Sequence, residues 1–200
     1  MAITFRFENC SAEDIAEITA RANRIIGLAP ELAKITKLNP ELKKWFGGGA
    51  EEAIKKIKIM SDYLTKKCRT ITFKKTVAGN KCDGVPVEIT DYGQVIPTVR
   101  APALVRSNDP LDQVQSGLRV FLSPLYFSTD EEYEKDNCIY HELTHKIIMT
   151  VDYRYGPDDC EEFAKTHPAY VHKNADNYGY LMADLAADLD QGSAIGKLFA

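Results

Sequence analysis

The pentapeptide His141-Glu142-Leu143-Thr144-His145 constrains this chain more than any other feature, because its residue types work together only on a helix. Positions i and i+4 stand one above the other on a helical face, so both imidazoles can reach one tetrahedral ion with Glu142 beside it. That is the H-E-x-x-H spacing of zinc hydrolases. The competing reading is two ordinary half-buried histidines on an amphipathic helix. The chain has only four histidines, and two of them here flank a glutamate, which favours the metal.

The neighbouring residues predict the helix. Ser128-Thr129-Asp130-Glu131-Glu132 offers two overlapping capping boxes at its start. Ile139, Leu143 and Ile147 then form an apolar stripe, bordered by a second stripe of His141, His145 and Met149. A third metal ligand must follow. The metzincin extension would need Gly at 148 and His at 151, where this chain has Ile148 and Val151. Asp152 lies nearest, while Glu161 and Glu162, on a later helix, stay open as alternatives.

Beyond the pentapeptide, Met149-Thr150-Val151-Asp152-Tyr153-Arg154-Tyr155-Gly156 resembles the second motif, G-T-x-D-x-x-Y-G, of the aspzincins, the family of deuterolysin and the peptidyl-lysine metalloendopeptidases. Thr150, Asp152, Tyr155 and Gly156 match it; Met149 replaces a Gly, a departure that bears on the turn more than on the ligands. Trp45-Phe46-Gly47, Leu122 to Phe127 and Asn174-Ala175-Asp176-Asn177-Tyr178 also look like family landmarks. The resemblance implies that His141, His145 and Asp152 hold one zinc ion, that Glu142 is the general base and that Tyr155 is the oxyanion donor. The implied activity is hydrolysis of peptide bonds in protein or peptide substrates. Three protein ligands suit such a site, because they leave one position of a tetrahedral ion open. Asp176 falls where the family places a pocket carboxylate, and Gly179 where lysine-specific members carry a second acid. At most a modest preference for Lys after the cut is therefore expected. As a bare sequence feature, Asp176 reads equally well as an acid at a helix N-terminus.

The expected fold is α+β: a mostly helical, zincin-like single domain over residues 1–200, with a small antiparallel sheet and the H-E-x-x-H helix. Two hundred residues, 44% hydrophobic and 27% charged, suffice for one sizeable core. A helical front (11–67) would precede a strand-rich middle (70–124) and a helical catalytic part (128–190). Ser11 caps the first helix, Asn39-Pro40 opens a second that Gly47-Gly48-Gly49 ends, and a third runs from Ala50 to Lys67. Val120 and Leu122 are expected on an edge strand, filling the core or pairing with an extended substrate.

A net charge of −4 gives no basic footprint for nucleic acid, and no apolar run approaches the roughly 20 residues of a membrane span. The start, Met1 to Glu8, lacks the layout of a signal peptide. Secretion, or delivery as an effector, is expected through a removed leader or another route. Cys68 with Cys82 and Cys138 with Cys160 could pair by position, or the thiols could be free and buried. A non-catalytic binding module or a structural zinc protein is the alternative reading; Glu142 argues against it, since a structural site needs no general base.

Overall fold

The computed structural model describes residues 2–35, 38–76, 81–82, 85–89, 95–97 and 117–190. Strand β1 (Thr4–Glu8) alternates Phe5 and Phe7 on one side. Helix α1 (Ala12–Gly27) follows, and its start carries a complete capping box: Ser11 Oγ accepts from Asp14 N–H, and the Asp14 carboxylate accepts from Ser11 N–H. A short turn of helix, α2 (Ala29–Leu32), leads to α3 (Pro40–Phe46), which Asn39 caps by accepting from Leu42 N–H at 2.7 Å. Gly47–Gly49 ends α3 as expected, but as a 3-10 turn running directly into α4 (Ala50–Asp62). The last turn of the expected 50–67 helix widens into a π-helix at Tyr63–Lys67.

Beyond it lie β2 (Thr70–Lys75), three short strands, β3 (Lys81–Cys82), β4 (Val85–Ile89) and β5 (Val95–Pro97), and then β6 (Gly117–Leu122). The expectation of one small antiparallel sheet needs correction. The sheet packed on the core is parallel, in the order β1-β2-β6, with Phe5 opposite Ile71 and Ile71 opposite Leu118. Its first two strands are joined through α1 to α4, and so long a crossover lets them run the same way. Among the described residues, antiparallel pairing is confined to β3, β4 and β5. Within the parallel sheet β6 takes an edge, and Val120 and Leu122 bury their side chains in the core.

Four α-helices follow among the described residues: α5 (Pro124–Ser128), α6 (Glu132–Ile147), α7 (Pro157–Thr166) and α8 (Ala175–Asp190). The two capping boxes expected for α6 do not form. Ser128 instead donates to Leu125 O at the end of α5, and Thr129 Oγ1 accepts from Glu131 N–H two residues on, so both hydroxyls serve the turn before α6. Tertiary contacts hold α6 instead. Ile139 and Leu143 are buried, the Asp136 carboxylate is buried against Arg21 and Arg24 of α1, and Lys135 reaches Glu17 at 2.5 Å. On the other side α6 packs along α8, whose Tyr178, Leu181, Met182 and Leu185 are buried as their helical spacing predicts. Trp45, fully buried in α3, stacks on Tyr180 of α8 with ring centroids 5.2 Å apart and donates from Nε1 to Asp184 at 2.7 Å.

Cys10, Cys68, Cys138 and Cys160 are free thiols, so neither proposed pair forms; Cys82 lies outside the described side chains. Among the described residues no helix is long and apolar enough to cross a membrane.

Candidate metal centre

Helix α6 ends abruptly, and the way it ends builds the site. Ile148 N–H closes the last turn on Thr144 O, and Met149 then takes a left-handed conformation, φ 55°. The chain reverses, and the Thr150 hydroxyl meets that of Thr144 at 2.7 Å, while Thr144 donates to His141 O at 2.7 Å. The returning segment is then clamped to the start of α8. Val151 N–H donates to Lys173 O and Ala175 N–H to Val151 O, and Asn174, fully buried, accepts from Tyr153 N–H at 2.7 Å and Arg154 N–H at 3.0 Å. Asp152 is thereby carried back over the histidines of α6.

Three side-chain atoms converge there. His141 Nε2 and His145 Nε2 are 3.0 Å apart, and Asp152 Oδ1 lies 3.3 Å from the first and 3.2 Å from the second. Among the described residues this trio is the group able to hold a metal ion, its ligand atoms all within 4.8 Å of one another. Glu161 turns to Lys44 at 3.7 Å, and Glu162 is exposed on α7.

The outer nitrogens decide what the trio can bind. His145 Nδ1 faces Thr150 O at 3.0 Å; a carbonyl only accepts, so that nitrogen carries the proton. His141 Nδ1 faces the Asp176 carboxylate at 2.5 Å with the same result. In the neutral rings both Nε2 atoms are therefore lone pairs, aimed at each other and at Asp152 Oδ1, a buried oxygen with no hydrogen-bond donor. Three acceptors meeting at one point fit a cation, and two imidazoles with a carboxylate suit zinc. The charges agree. Burial opposes a charge on His141, but Asp176 and Asp152 outweigh it and raise its pKa well above the ordinary value, as two neighbouring carboxylates that favour positive charge should. Burial alone would raise the Asp152 carboxyl; contact with His141 and His145 holds it well below the ordinary carboxylate range.

Glu142 sits beside the trio, Oε1 3.9 Å from His141 Nε2, with its side chain 13% exposed. Burial raises its carboxyl above the usual value, with the two histidines opposing. The Tyr155 ring lies 6.4 Å from that of His141, centre to centre and nearly parallel to it, and is 43% exposed. These five expected residues are thus brought together. Asp176 is the exception: expected against a substrate side chain, it is 4% exposed and turned onto His141, because the first turn of α8 points inward at α6. Asn174 and the Thr144–Thr150 pair were not foreseen. The polar run Asn174 to Asn177 at the start of an apolar helix was the available signal, but sequence does not tell a buried polar residue from an exposed one.

No curated protein is significantly similar in sequence. A zinc peptidase from Grifola frondosa has a similar fold, with TM-score 0.58 at 19% identity over 88% of this chain and 97% of that one. The aspzincin family profile, described as lysine-specific metallo-endopeptidase, matches residues 31–183, so the chain belongs to the aspzincin family of metallopeptidases, which work with one zinc ion.

Proposed function

We propose that this zinc metalloendopeptidase holds its ion with His141, His145 and Asp152, and that Glu142 and Tyr155 carry the proton and oxyanion roles in cutting peptide bonds within protein substrates. The observation that carries this reading is the convergence of three acceptor atoms beside a half-buried carboxylate. When bound, zinc supplies a positive charge that acidifies water toward neutrality and polarises the scissile carbonyl. Glu142, its proton affinity raised by burial, takes the proton from the attacking water and passes it to the leaving amine. Tyr155 is close enough to the His141 ring for its phenol to donate to the oxygen on which negative charge grows.

The proposed preference for Lys after the cut is modest. The family description supports it. Against a strong preference, Gly179 supplies no second carboxylate, and Asp176 is engaged within the chain. Action outside the producing cell is likewise proposed, as fits a small endopeptidase directed at other proteins; finding the protein only in the producer's cytosol under secreting conditions would remove it.

The test is zinc content and casein cleavage for wild type and Glu142→Ala side by side. One zinc in both, with cleavage by wild type alone, is expected, and the cut sites then measure the Lys preference. Zinc in both with cleavage by neither points to a narrow-substrate enzyme or a binding module, and absence of zinc from both overturns the reading.

A further inference from the structure

Asp176 touches every part of the chain that builds the centre. Its Oδ1 stands 2.5 Å from His141 Nδ1 and accepts from Asn137 Nδ2 at 3.5 Å, both on α6. Its Oδ2 accepts from Gly156 N–H at 3.1 Å, at the end of the returning segment that carries Asp152 and Tyr155. The residue itself lies in the first turn of α8, where the helix dipole favours an anion. One buried carboxylate therefore ties the helix bearing two ligands, the segment bearing the third, and a third element that contributes none.

We propose that Asp176 is a positioning residue of the metal centre: by holding His141 Nδ1–H and Gly156 N–H together, it aims His141 Nε2 at the ion and fixes the distance of Asp152 from α6. This deepens the proposed function and rests on its reading of the trio as a zinc site. A carboxylate behind a ligating imidazole selects the tautomer, orients the ring and increases the basicity of the ligating nitrogen. The second oxygen adds something a simple carboxylate–histidine pair lacks. Any displacement of Asp176 moves the returning segment and the His141 ring together, so the three acceptors shift as a set. Oδ1 has two partners and Oδ2 one, and with the residue only 4% exposed its carboxylate is committed chiefly to the chain itself.

The test is the zinc dissociation constant, by competition with a chromophoric chelator, for the full-length wild type and Asp176→Asn, with cut sites on casein mapped at saturating zinc. Asp176→Asn keeps the size of the side chain and removes its charge. Zinc affinity is expected to fall about 10- to 100-fold, with the distribution of cut sites unchanged. Affinity within twofold of wild type overturns the proposal, and a shifted cut-site distribution at unchanged affinity would make Asp176 a substrate contact instead. A wild type that binds no zinc sinks the metal reading itself and is seen before any variant is compared. Should Asp176→Asn fail to fold, nitrogen NMR of histidine-labelled, zinc-loaded wild type decides. A proton on His141 Nδ1 with the metal on Nε2 supports the proposal, and the reverse arrangement overturns it.

Discussion

Met149 holds a left-handed backbone, φ 55°, with its side chain 62% exposed where the chain leaves α6. A β-carbon in that conformation costs about 1 kcal/mol, and so exposed a side chain returns little packing. Met149→Gly is expected to raise stability by about 1 kcal/mol, read as a higher urea midpoint, with zinc binding unchanged. The ligand set makes a sharper prediction at the same scale. Asp152→Ala should lose zinc on dialysis, whereas Glu161→Ala and Glu162→Ala should retain it, because those acids face Lys44 and solvent. The histidines and Glu142 were legible because helical geometry fixes their relation over five residues, and Asp152 because a local motif follows. Asp176 was legible as an acid in the first turn of a helix, but its contact with His141 was not, because that partner lies on another helix. Composition names a carboxylate but not the atom it faces.

The crossing of α6 and α8 sets how close two elements of the site can come. A β-carbon on Gly179 would meet Asn137 Oδ1 at 1.7 Å and Asn137 O at 2.8 Å, the second a backbone atom that yields only if the helices part. Gly179→Ala should therefore cost about 1–3 kcal/mol, seen in the denaturant midpoint, and weaken zinc binding too, since Asp176 precedes it on the same helix. On the far side, Asp14 closes the capping box of α1 by accepting from Ser11 N–H and meets Lys75 of β2 at 2.9 Å. Burial alone would raise its carboxyl, but Lys75 and Ser11 lower it below its ordinary value. Its folded-state pKa is thus the lower one. The contribution is complete above the unfolded-state value of about 4 and fades as pH falls through the folded-state value. Asp14→Asn should cost about 1 kcal/mol at neutral pH, and urea midpoints measured in the acid range should converge with wild type. Helix positions were readable from caps and apolar spacing, but sheet direction was not. Runs such as Thr70 to Phe73 announce a strand, whereas parallel pairing with Thr4–Glu8 depends on how the intervening helices pack.

Taken as a whole, the molecule should gain stability from its ion by mass action, because the trio is assembled only when the chain is folded. Free zinc at about a hundred times its dissociation constant should add about 2.7 kcal/mol, so a chelator should lower the thermal midpoint by the corresponding amount. Protons compete for the same nitrogens. Since the proton affinity of His141 is raised, apparent zinc affinity should decline as pH falls, which chelator titrations at several pH values would measure. The reversal at Met149 bears on the order in which these parts come together. All three proposed ligands fall within one short stretch, from His141 to Asp152, so joining them closes only a small loop. The ties to Asn174 and Asp176 are longer in sequence and reward the chain only once α8 has docked. The reversal at Met149 therefore brings the three acceptors near one another at little cost, while docking of the last helix fixes them in place, so the finished site belongs to the folded chain and not to the nascent one.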